Sequence, residues 1–107
     1  MSEEMELARK HVELLTEKRT SREIARFLES EGVRGIRKVG QLCAISAWLR
    51  EKVPGVHFLT GYGGVQIRQK GTGLGAEYIN VDNTPAMATF ITAFDRGQYP
   101  KLVKEIP

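Results

Sequence analysis

Apolar residues recur along this chain with two different periods. Up to Val53 the spacing is helical. Met5, Ala8, Val12 and Leu15 form one stripe, with Leu7, His11 and Leu14 along its edge. Ser2 stands where a cap belongs, and Glu3, Glu4 and Glu6 suit the positive end of that helix. A second helix opens with Thr20 and Glu23, spaced as a capping box, and continues through Ile24, Phe27 and Leu28. Gly32 follows its last periodic residue, the place for a left-handed cap. A third helix is expected from near Gly40, with Leu42, Ile45, Leu49 and Val53 as its buried stripe and Trp48 beside it. Pro54 and Gly55 stop it.

Beyond Pro54 the period becomes two. Val56 and Phe58 alternate with His57 and Leu59, and Val65 and Ile67 with Gln66 and Arg68. The turn Thr60–Gly64 between them makes this a hairpin signal. After Gly71–Gly75, Glu77, Ile79 and Val81 oppose Tyr78 and Asn80 in a third strand. The helical period returns at Thr84, an N-cap followed by Pro85 at the first helical position, and runs through Met87, Phe90, Ile91 and Phe94 to Gly97. The tail from Tyr99 to Pro107 is expected to lie back on the body through Leu102 and Val103. These elements predict an α+β fold in one domain over residues 1–107: three N-terminal helices, a small three-stranded antiparallel sheet and a C-terminal helix. Ile24, Phe27, Leu28, Leu42, Ile45, Leu49, Ile67, Ile79, Phe90, Ile91 and Phe94 form the expected core.

Between the second and third helices lies Val33–Val39, VRGIRKV. Its Arg34, Arg37 and Lys38 interleave with Val33, Ile36 and Val39. That spacing predicts a loop anchored by its apolar residues, with its cations facing water.

Composition sharpens this picture at one point. The net charge of +3 conceals an asymmetry: residues 19–70 carry ten basic and four acidic residues, +6, whereas residues 1–18 stand at −2 and residues 71–107 at −1. The field worth attention is therefore central. The 41% hydrophobic and 27% charged content is that of an ordinary globular protein. A single cysteine rules out an internal disulfide. No segment has the length of a membrane span, and the N-terminus has no apolar signal core, so a cytoplasmic location is expected.

The string EIARFLESEGVRG (residues 23–35), then Cys43 before an apolar helix, then FITAFDRGQYPKL (residues 90–102), resembles a group of small uncharacterised proteins of actinobacteria and their phages. The matching positions are Glu23-Ile24-Ala25, Phe27-Leu28, Gly32 to Gly35, Cys43, Leu49, and Phe94-Asp95 with Gly97, Tyr99 and Pro100. Members often follow the cysteine with proline, where this chain has Ala44. The resemblance implies a shared fold and setting and brings no catalytic residues with it.

The chain offers little enzyme chemistry, and a non-enzymatic role is expected. Cys43 falls near a helix start, where a thiol can be activated, yet neither His11 nor His57 is tied to it by spacing, so a small buried residue is expected. Two histidines and one cysteine, widely separated, are no metal signal, and no cofactor is expected. Gly71–Gly75 (GTGLG) precedes a strand rather than a helix, so it is not a phosphate cradle. Glu77 and Asp82, five apart on a strand, face opposite sides, and Asp82 before Asn83 and Thr84 reads as a turn.

What remains is binding. Arg34, Arg37, Lys38, Arg50, Arg68 and Lys70 are the candidate phosphate contacts, with Lys52 nearby, in a helix-then-hairpin order that is winged-helix-like. The third helix offers few base-reading side chains beyond Gln41, Ser46 and Arg50, so weak or shape-based specificity is expected for a nucleic-acid partner. The alternative is a phage-type effector that binds a host protein, with Trp48, Tyr62 and Tyr99 as interface anchors.

Overall fold

The computed structural model describes residues 3–69 and 78–104. It has the predicted element order. Helices α1 (Glu3–Thr16), α2 (Ser21–Ser30) and α3 (Ala44–Lys52) lead into strands β1 (Val56–Thr60), β2 (Gly64–Gln69) and β3 (Tyr78–Asp82), and α4 (Pro85–Asp95) follows. A single 3-10 turn, Pro100–Leu102, starts the tail. Ser2, Lys70, the Gly71–Gly75 segment and Glu77 lie outside the described residues.

The sheet is antiparallel in the order β1-β2-β3. Its register puts Phe58 opposite Ile67 and Ile67 opposite Ile79, on the inner face. Helix α1 crosses that face and touches all three strands. Met5, Ala8, Val12 and Leu15 of its predicted stripe are buried, while Leu7 and Leu14 are exposed. Helices α2 and α4 pack together beside it, and α3 lies against β1. An antiparallel sheet covered on one side leaves the other for solvent, and the alternation in β1 follows: Val56, Phe58 and Thr60 are buried, His57 and Leu59 exposed.

Local chemistry fixes the helix ends. Thr20 Oγ1 accepts from Glu23 N at 3.1 Å. The reciprocal arm reaches one residue further back than a standard box, since Glu23 Oε2 accepts from Arg19 N. Gly32 takes φ +73° and Gly97 φ +78°, left-handed stops that a side chain would strain. Thr84 Oγ1 accepts from Met87 N, capping α4 behind Pro85.

The connector corrects three expectations. Helix α3 begins at Ala44, four residues later than Gly40, with Cys43 extended as its N-cap. The residues before it fold as turns: Leu42 N donates to Val39 O and Ile36 N to Leu42 O. Gly40 O instead accepts from Thr60 N, so the segment covers part of the free edge of β1. Leu42 is therefore 36% exposed and outside the core. Val33 is buried and Ile36 half-buried, as anchors should be, but Val39 is exposed.

Gly35 is the tightest point of the connector. Its N–H donates to Leu102 O and its carbonyl accepts from Lys104 N, a short parallel bridge to the tail. A Cβ there would run into the backbone of Cys43 and Ala44. Leu102 is fully buried and Val103 half-buried, which seats the tail as expected.

Candidate nucleic-acid interface

Side chains that alternate away from the core gather on the outer face of the sheet. The register aligns His57, Arg68 and Tyr78 in one row across the three strands, and Leu59, Gln66 and Asn80 in the next. Among the described residues, Tyr78 is 57% and Leu59 44% exposed on this face. Arg68 leans over Tyr78, its guanidinium carbon 5.9 Å from the ring centroid. Where the connector and α3 meet β1, a cleft of about 330 Å³ opens, lined by Gln41, Leu42, Arg50, His57, Leu59, Gln66 and Arg68. Arg50 Nη1 donates to Gln41 O at 2.9 Å, which holds the guanidinium at the cleft's margin. Among the described residues, no acidic side chain lines this cleft. At the far end of the face stands Asp82, whose Oδ1 accepts from Asn80 Nδ2 at 3.1 Å.

The structure divides the basic set expected to act together. Arg50 and Arg68 share the cleft. Arg34 lies in a separate shallow depression with Glu29 and Lys101. Arg37 is bound to the end of α4, its Nε donating to Asp95 O at 2.8 Å, a cation at the negative end of a helix dipole. Lys38 takes φ +64° so that its backbone N–H reaches Asp95 Oδ1 at 2.8 Å. Lys70 lies outside the described residues.

Helix α3 does not present a reading surface. Ala44, Ile45, Ser46, Trp48 and Leu49 are all buried. Ser46, a candidate base reader by sequence, donates to Gly40 O at 2.6 Å and bonds Thr60 Oγ1 at 2.8 Å, behind the connector. The element order of a winged helix is present, but its third helix is a core element here.

The aromatic residues of the protein-binding alternative also separate. Trp48 is 1% exposed, so it anchors the core rather than an interface. Its ring meets Phe27 and His11 edge-on, and Nε1 donates to Glu31 Oε1 at 2.9 Å. That hydrogen bond, together with Lys52 at 3.3 Å, holds the Glu31 carboxyl below its usual value. Tyr99 is half-buried, stacked on Phe90 with centroids 5.3 Å apart and hydrogen-bonded to Ser21 Oγ. Tyr62 alone is open, at 63% exposure, and donates to Asp95 Oδ2 at 2.9 Å, which pushes its phenol above the usual value.

Cys43 is 6% exposed and its Sγ donates to Ser46 Oγ at 3.7 Å. It borders a small cleft of about 150 Å³ with Lys38, Tyr62 and Asp95. Among the described residues no three His, Cys, Asp or Glu side chains are grouped to hold a metal, and no helix is long and apolar enough to cross a membrane.

Sequence reasoning named Arg50, Arg68 and Gln41 but passed over Tyr78, Gln66 and Asn80 as binding groups and took His57 for an ordinary hairpin residue. The signal was the period-two alternation itself, whose outward half collects these residues on one face. No known protein family, curated protein or solved structure matches the chain.

Proposed function

We propose that this protein is a non-enzymatic binding protein whose partner is a nucleic acid, held at the open face of the sheet and the cleft beside α3. The observation that carries this reading is the pairing of Arg50 and Arg68 in one cleft with Gln41, Gln66 and His57, and with no carboxylate lining it among the described residues. Arginine forks suit phosphate, and amide side chains supply both donors and acceptors to a base or sugar. Arg34 is a peripheral contact at most, Arg37 is tied through Nε to Asp95 O, and Lys38 is held to Asp95 by its backbone N–H, away from this cleft. Of the three anchors named for the rival, a phage-type effector seated on a host protein, Tyr62 is the open one.

The test is a fluorescence-anisotropy titration with labelled DNA and RNA oligonucleotides. With a few phosphates contacted, affinity should fall about tenfold between about 50 and 200 mM salt. The double variant Arg50→Ala/Arg68→Ala should lose most binding, while Arg34→Ala/Arg37→Ala should keep it. Absence of binding at low salt, or the reverse ranking of the two variants, overturns the proposal.

A further inference from the structure

Resting on that reading, we infer that the ligand is single-stranded, with its bases unstacked onto the sheet, rather than a duplex. A duplex is read by an element that enters a groove, such as a helix in a major groove about 12 Å wide. The described residues do not supply one in α3 or in the hairpin turn: Ala44, Ile45, Ser46, Trp48 and Leu49 of α3 are buried and only its last two residues, Glu51 and Lys52, are exposed, and the β1–β2 turn is a short one centred on Gly61, Tyr62 and Gly63. What they offer is a platform. His57, Arg68 and Tyr78 bring three side chains with flat π systems into one row on adjacent strands, whose backbones are about 4.8 Å apart, with the Arg68 guanidinium over the Tyr78 ring. Bases stack on such groups whatever their sequence.

The next row, Gln66 and Asn80, follows two residues along each strand, a step of about 6.8 Å. Its amides are donors and acceptors of the kind that pair with a free Watson–Crick edge. In a duplex that edge is already engaged. The charges give the strand a path: Arg50 and Arg68 attract phosphates on the side nearer α3, and Asp82 repels them at the other end. The phosphate chain therefore runs along the cleft while the bases lie inward over His57 and Tyr78.

The experiment compares one labelled sequence as single-stranded DNA, as single-stranded RNA and annealed into duplex, against wild type, Tyr78→Ala and Tyr78→Phe. Tyr78 is mostly solvent-exposed, so unchanged melting temperatures should confirm that both variants fold. The single strands should bind at least about tenfold more tightly than the duplex, and Tyr78→Ala should weaken single-strand binding at least about fivefold while Tyr78→Phe retains it. The DNA and RNA arms report whether the sugar hydroxyl contributes. Equal binding of duplex and single strand, or wild-type binding by Tyr78→Ala, overturns this inference and leaves the nucleic-acid reading standing. Binding of none of the three overturns both and favours a protein partner.

Discussion

Arg68 and Tyr78 face each other across β2 and β3 on the solvent side of the sheet, the guanidinium carbon 5.9 Å from the phenol ring. Neither is needed by the core, so their pairing is free to serve a ligand. Arg68→Ala should reduce the salt dependence of oligonucleotide binding by about one phosphate contact. Arg68→Lys should keep the salt slope but weaken binding, because an ammonium lacks the planar fork. Both should leave stability within about 0.5 kcal/mol of wild type. An unchanged slope in Arg68→Ala would remove this residue from the site.

Glu31 receives the Trp48 indole N–H and the Lys52 ammonium on the same oxygen. Its folded pKa is lowered, first by Trp48 and then by Lys52. The stability from this depression is fully present above the ordinary carboxyl value and is lost as pH falls through the lower folded value. The melting temperature of wild type should thus exceed that of Glu31→Gln at neutral pH, and the gap should close on acidification below about pH 4. A gap that stays constant down to low pH would contradict the assignment.

Gly35 sits where a Cβ would meet the backbone of Cys43 and Ala44. Gly35→Ala must push the connector from α3 or break its bridge to the tail. A loss of about 1–3 kcal/mol is expected from such overpacking, visible in chemical denaturation. Wild-type stability would mean that the connector is not clamped between α3 and the tail.

Phe90 is fully buried in α4 and lies between the rings of Phe94 and Tyr99, with centroids 5.9 and 5.3 Å away. Phe90→Ala should cost roughly 3–5 kcal/mol, a large part of a small domain's stability. An unchanged melting temperature would show that α4 is not docked on α2 and the tail.

How far the sequence carries can be judged from particular residues. Thr20 and Thr84 announce their helices through local chemistry, and both hydroxyl caps form, with Glu23 answering Arg19 N rather than Thr20 N. The alternation of Val56, Phe58, Val65 and Ile67 identifies the inner face of the hairpin for the same local reason. The start of α3 was not legible, because Gly40 is held by Thr60, twenty residues on, and Gly35 by the tail. Those non-local bonds turned Leu42 outward. The basic residues of VRGIRKV looked like one cluster because they are neighbours in sequence. Asp95 ties down the Arg37 side chain through its carbonyl and the Lys38 backbone through its carboxylate, contacts nearly sixty residues apart that no local pattern reveals. The face now proposed as the interface depends on which strand residues align, and that register is set across the chain.

The most direct measurement is residue-resolved. Amide chemical shifts of the isotopically labelled protein, followed during titration with a short single-stranded oligonucleotide, report where the ligand sits. The largest changes are expected at His57, Leu59, Gln66, Arg68, Tyr78 and Asn80, with Gln41 and the side-chain signal of Arg50, and little change at Arg34, Arg37 and Lys38. Changes centred on Val33–Val39 or on Tyr62, with the open sheet face silent, would contradict that expectation.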